Sequence, residues 1–208
     1  MDLASGDSDR DRSDTRTHLL EATRQALCKH GYADLTMQAI ADESEKSKAA
    51  LHYHYDTKEE LLAATLAYLL EEFLTEVDTG EDEDPEARLH ALVEAMLFGP
   101  EGREGDSSGH WEFHTALLEV QSHAPHSETY EEQFTDNYNH VKRLYTEIIE
   151  EGIEAGVFEP VDPEATAAHI MAAIKGARVN QVATERGDIA ETVHDALREQ
   201  VLDPMTVD

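Results

Sequence analysis

The chain has 208 residues, 40% of them apolar, which is enough for a globular core and too much for wholesale disorder. Its 46 acidic residues outnumber 16 basic ones to give a net charge of −30, at first sight the wrong sign for a partner made of phosphates. No apolar run approaches the roughly 20 residues of a membrane span, the first residues show no apolar signal region, and a single cysteine, Cys28, excludes an intrachain disulfide. The expectation is a soluble, cytoplasmic protein with no membrane partner.

The charge is unevenly spread. Residues 1–9 carry three acidic side chains, residues 10–58 eight basic against eight acidic, and residues 59–208 eight basic against 35 acidic. The acid load therefore lies almost wholly outside residues 10–58, and that segment keeps the option of binding nucleic acid. Such an excess of Asp and Glu resembles proteins of salt-loving microbes, whose acidic surfaces stay hydrated at high salt.

Strand signals are almost absent, with no alternating Val/Ile/Thr run and no Asn-Gly hairpin. Helical periods dominate instead. Residues 1–13, polar and charged, read as a mobile acidic arm. A first helix starts at Asp14 as N-cap and ends at Gly31, with Leu19, Leu20, Ala26 and Leu27 facing inward. A short helix over 36–43 follows, then a break at Ser44-Glu45-Lys46, then a second short helix capped by Ser47 and running to about residue 53. Ile40 and Leu51 pack these two together, and the three-helix core closes on Leu27, Leu35 and Tyr55. Thr57-Lys58-Glu59-Glu60 is a capping box that opens a long helix carrying Leu61, Leu62, Leu66, Leu69, Leu70 and Phe73; it fades over 78–84. Asp84-Pro85 opens the next helix, the glycine-rich stretch 99–109 connects it to a helix over 110–122, and helices over 127–155, 163–184 and 188–202 complete the chain. The reading is an all-α fold of about nine helices. A helix-turn-helix domain occupies 14–60, and a helical effector-binding and dimerisation domain occupies 61–208.

Two short helices three residues apart, the second entered through Ser and Lys, form a DNA-binding helix-turn-helix pattern. The second helix presents its N-terminal residues Lys46, Ser47, Lys48 and Ala49 to a major groove, with His52 one turn beyond. Lys48 suits guanine O6/N7, Ser47 suits several acceptors, and the Ala49 methyl suits a thymine methyl. Thr36 and Lys58 stand at helix starts, where a hydroxyl, free backbone N–H groups and an ammonium hold phosphate oxygens.

The stretch Gly31-Tyr32 … Thr36-Met37-Gln38-Ala39-Ile40-Ala41 … Ser47-Lys48-Ala49-Ala50-Leu51-His52-Tyr53-His54-Tyr55-Asp56-Thr57-Lys58-Glu59-Glu60-Leu61-Leu62 resembles the N-terminal domain of TetR/AcrR transcriptional regulators over about 50 residues. The resemblance implies a homodimer that sets one short helix of each subunit into the major groove of a palindromic operator. It also implies a C-terminal helical domain that takes a small-molecule effector. Thr36, Lys48, Ala49, His52, Tyr53, His54 and Lys58 match family positions that touch DNA. Two departures stand out. The usual Ala-Gly-Val turn is Ser44-Glu45-Lys46, which loses a glycine suited to a left-handed conformation, and Glu45 brings a carboxylate toward phosphates. For Tyr55 plain core packing is the preferred reading.

In such regulators the last long helices of two subunits form a four-helix bundle, here the helices over 127–155 and 163–184. Val141, Leu144, Ile148 and Ile149 make one stripe, and Ile170, Ile174 and Ala177 another. Met96, Trp111, Phe113, His114, Leu117, Phe134, Tyr138 and Met171 are candidates to line an apolar effector cavity, with ordinary core packing as the alternative for each. His110 and His114, four residues apart, could chelate a metal, but no HExxH motif or cysteine partner accompanies them, and no metal is expected. No GxSxG, Walker A or GxGxxG motif is present, so neither catalysis nor a cofactor is expected. The rival reading is a small-molecule or metal-binding helical protein whose DNA-binding head is disabled, for which Glu45 and the global acidity speak.

Overall fold

Helix punctuation in the computed structural model follows proline, glycine and capping residues. The structure describes residues 5–77, 84–103, 108–184 and 186–207, with side chains from residue 14 onward. In chain order the helices are α1 (Ser5–Asp34), α2 (Met37–Glu43), α3 (Lys48–His54), α4 (Lys58–Glu76), α5 (Pro85–Phe98), α6 (Ser108–His123), α7 (Glu128–Glu154), α8 (Pro163–Ala183) and α9 (Ile189–Leu197). Among the described residues there is no strand, only an isolated antiparallel bridge between Phe158 and Thr206. The fold is all-α.

Two boundaries differ from the sequence reading. Helix α1 begins at Ser5, not Asp14, so most of the stretch read as a mobile arm has helical backbone; residues 1–4 lie outside the described residues. Residues 5–13 carry no apolar period in the sequence that would announce a helix. The expected end of that helix is marked by Gly31, whose φ of 70° breaks α1 internally. At the other end, α9 passes through a π-helical turn (Arg198–Leu202) into a last helical turn (Asp203–Met205). Pro204 has no N–H for the hydrogen-bond ladder, and the ladder widens just before it. Residues 78–83 of the fading stretch and 104–107 of the glycine-rich connection fall outside the described residues.

The chain divides into two compact units, one of Met1–Glu71 with Thr115–Phe134, the other of Glu72–His114 with Thr135–Asp208. In the first, Leu19, Leu20, Ala26 and Leu27 of α1, Leu35, Ile40 of α2, Leu51 of α3 and Leu61 and Leu62 of α4 are buried, as are Ala116, Val120 and Tyr130. Each such leucine contributes about 1.5–3 kcal/mol relative to an exposed one. The capping box at α4 works one residue further back than expected. Thr57 Oγ1 accepts from the Glu60 N–H at 3.1 Å, but Glu60 Oε2 accepts from the Asp56 N–H at 2.9 Å.

In the second unit α5, α8 and α9 pack on one another, and Arg88 of α5 pairs with Glu151 of α7. Val141, Ile148 and Ile149, and Ile170, Ile174 and Ala177, are buried within the chain itself, while Leu144 is half-buried. Helix α7 closes over Gly152, whose carbonyl accepts from the N–H groups of Val157 and Phe158 at 2.8 and 3.0 Å, with Gly156 at φ 73° making the turn. Among the described residues no helix is long and apolar enough to cross a membrane.

Candidate nucleic-acid interface

Helix α2 starts at Thr36, whose Oγ1 accepts from the Ala39 N–H at 3.1 Å, and α3 starts at Ser47, whose Oγ accepts from the Ala50 N–H at 3.2 Å. Both hydroxyls therefore act as caps and keep their own protons to donate outward. Between them, Glu45 takes the left-handed conformation at φ 53° that a glycine would fill without strain. Buried Ser44 organises the turn: its hydroxyl donates to the Ala41 carbonyl at 3.1 Å and accepts from the Lys46 N–H at 3.3 Å, and its carbonyl lies 2.9 Å from His18 Nε2. On α3 Leu51 is the buried anchor, at 0% exposure, while Lys46, Ser47, Lys48, Ala49 and His52 are exposed and Tyr53 stands out at 71%. His54, half-buried, meets the Tyr53 ring edge-on at 5.1 Å. Tyr55 is half-buried, with its hydroxyl accepting from Arg16 Nε at 3.2 Å.

Lys58 is held. Its ammonium sits 4.1 Å over the Tyr32 ring and donates to the Tyr32 carbonyl at 3.4 Å. Tyr32 is itself fixed, since its N–H donates to Glu119 Oε2 at 2.7 Å and its ring stacks on His123 at 4.3 Å and meets Tyr130 edge-on at 6.1 Å. Near the end of α2, Lys29 pairs with Glu43 and holds that carboxyl below its usual range.

Of the residues proposed to line a cavity, Met96, Trp111, Phe113, His114, Tyr138 and Met171 belong to the second unit, and Leu117 and Phe134, both half-buried, to the first. The His114 ring lies 6.4 Å from Trp111, 5.7 Å from Phe113 and 4.4 Å from His110. Met96 receives Arg178 at its carbonyl. Met171 is half-buried and Tyr138 is exposed. Burial and the Arg178 cation push His110 down to about 4 and His114 well below the usual imidazole value, so both rings are neutral near pH 7. Among the described residues no group of three or more His, Cys, Asp or Glu is placed to hold a metal ion.

Residues 19–65 match the bacterial regulatory proteins of the tetR family, and residues 85–203 match the C-terminal region of BetI-type transcriptional repressors. The chain belongs to the TetR family. A TetR transcription regulator from Haloarcula marismortui is 40% identical, with a TM-score of 0.82 over 94% of this chain and all of that one. A Saccharomonospora viridis transcriptional regulator solved in complex with choline shares the fold, with a TM-score of 0.77 over 94% of this chain and all of that one, at 22% identity. The transcriptional repressor AcnR of Corynebacterium glutamicum is 33% identical over 94 residues, which are 41% of this chain; the TetR-family chain thus spans 48% of that relative.

Ser44, Tyr32, Glu119 and Arg178 are the residues of these sites that sequence reasoning missed. A serine at the helix break was a signal for the turn. Nothing local could pair Tyr32 with Glu119, 87 positions away.

Proposed function

We propose that this chain is a ligand-responsive repressor that binds a palindromic DNA operator as a homodimer. Helix α3 carries the reading: it buries only Leu51 and exposes Lys48, Ala49, His52 and Tyr53 to solvent. In a major groove Lys48 donates to guanine, the Ala49 methyl meets thymine, and His52 reads the next base. Lys46, Ser47, Thr36, Tyr53, His54 and Lys58 hold phosphates and fix the register. Lys58, already positioned over Tyr32, has further donors to spend on a phosphate.

The balanced charge of residues 10–58 supports this role in a chain of net charge −30. The same acidity fits a salt-rich setting. Dimerisation is supported by family membership and by the half-buried apolar side chains Met171, Val179 and Val182 on α8. By linkage, an effector that favours a spacing of the two heads unsuited to the half-sites weakens DNA binding, and DNA weakens effector binding equally.

A gel-shift series with DNA from upstream of the protein's own gene, run at several salt concentrations, tests the reading. The wild-type chain is expected to give a sequence-specific complex. Lys48→Ala with His52→Ala should weaken that complex by about 100-fold or more, since each base contact is worth roughly 1–3 kcal/mol. Absence of a specific complex at every salt concentration overturns the proposal in favour of a helical ligand-binding protein with a disabled head.

A further inference from the structure

Among the described residues, the second unit holds a cation with no acid beside it. Arg178 of α8 directs Nη2 to the Met96 carbonyl in the last turn of α5, and the same nitrogen lies 3.4 Å from the Met96 sulfur. Its Nε is closed off from solvent and has no hydrogen-bond partner. The groups in electrostatic reach are Tyr145, His110 and His114; among the described residues no carboxylate joins them. Burial lowers the guanidinium to about 10, which leaves it charged at neutral pH. The end of a helix offers only roughly half a negative charge, so the Met96 carbonyl does not neutralise it. In a chain with 46 acidic and 16 basic residues, a half-buried arginine with no acid beside it among the described residues is contrary to composition.

Two further polar atoms of the same cluster are left over. His110 Nε2 and the Tyr145 hydroxyl are buried without partners. The His110 ring already bonds the Leu97 backbone, which leaves Nε2 of the neutral imidazole as an acceptor. Buried polar atoms are satisfied in the great majority of native structures, and a buried ion without a counter-ion is costly. Three leftovers in one cluster, one of them cationic, describe a site made for something else.

We propose that Arg178, Tyr145 and His110 form the anion-binding end of the effector site, and that the effector is a small organic carboxylate. Arg178 Nε and the Tyr145 hydroxyl donate to the carboxylate, and His110 Nε2 accepts from a donor on the ligand. A quaternary ammonium meets repulsion here. The proposal rests on the reading of the chain as ligand-responsive. Its bland rival is that Arg178 only caps α5.

The test is calorimetry and thermal melting of the full chain with sodium hexanoate, benzoate and 2-hydroxybenzoate. Choline chloride serves as the cationic probe, and sodium chloride at equal ionic strength as the control. At least one carboxylate is expected to bind saturably, one per chain, and to raise Tm above the chloride control, with no response to choline. Arg178→Met should weaken that binding about 100-fold or more and Tyr145→Phe about 10-fold. If Arg178→Met does not fold, Arg178→Lys keeps the charge without the Nε donor; lost affinity in it supports the site, and unchanged affinity overturns it. No carboxylate response, an equal response in Arg178→Met, or binding of choline also overturns it. A gel shift with the same carboxylate separates the two readings. Binding that leaves the DNA complex intact keeps the site and removes the ligand-responsive role. DNA release by a molecule whose binding survives Arg178→Met keeps the role and removes the site.

Discussion

Glu45 and His110 show how single side chains are set by the backbone and burial around them. An L-residue in the left-handed region costs roughly 1–2 kcal/mol, and Glu45 bears that cost at φ 53°. Glu45→Gly relieves it but loosens the unfolded chain by about 0.4–1 kcal/mol, so a net gain of about 1 kcal/mol or less is expected in urea unfolding. The same substitution removes a carboxylate next to the reading helix and should tighten operator binding; weaker binding in gel shifts would show that the side chain helps to hold the turn. His110 titrates lower in the folded chain, at about 4, than its unperturbed 6.5. The unfolded state therefore takes up protons first as pH falls, and the contribution to stability is complete above about 6.5 and lost on the way down to about 4. His114 acts in the same direction. Thermal melting across that interval should show a shallower fall for His110→Phe than for the wild-type chain; equal slopes would remove His110 from the account. The strained turn was legible as a missing glycine. The depressed histidines were not, because they depend on burial in the packed chain and on the distant Arg178 cation.

Among the elements, α7 depends on one glycine for its ending. A Cβ at Gly152 would stand 2.1 Å from Phe158 Cδ2, and Phe158 is a buried ring whose neighbour Val157 ties the C-terminal segment through Val207 at 2.8 Å. Gly152→Ala is expected to lower stability by about 1–3 kcal/mol or more through overpacking, read as a fall in Tm. Gly152→Ala with Phe158→Leu should lose less than the sum of the two single substitutions, because both act on one contact; a simply additive loss would place the damage elsewhere. Gly156 as a helix stop was readable from the sequence. The close approach at Gly152 was not, since a glycine inside a helical pattern looks like a mere weakness until the ring that needs the space is located. The same holds for α1, whose start at Ser5 carries no apolar period, and for the π turn ahead of Pro204.

For the whole molecule, a net charge of −30 makes salt act in two opposed directions. Screening relieves self-repulsion in the compact state, so Tm should climb with added KCl. Phosphate contacts release counterions, so operator affinity should fall over the same range. A Tm indifferent to salt would mean that the acids are already compensated. Dimerisation belongs at this scale too. Val141, Ile148, Ile170 and Ile174 are buried within the chain, whereas Val179 and Val182, one turn apart on α8, are half-buried and are the side chains to test for a dimer contact. Light scattering should report a dimer for the wild-type chain and a monomer for Val179→Glu with Val182→Glu; an unchanged mass would move the interface off α8.

The helix order, the caps at Thr36 and Ser47, the exposed residues of α3 and the family were all legible in the sequence alone. Each depends on contacts within about four residues or on a contiguous motif, and these are written in local spacing. The tertiary structure decided what became of the long-range polar groups. Tyr32 is tied to Glu119, Lys58 is seated on Tyr32, and Arg178 reaches Met96, 82 positions away, with no acid among the described residues to neutralise it. Such pairs depend on which faces meet and how much water they exclude, and burial is a property of the packed chain that no local pattern encodes.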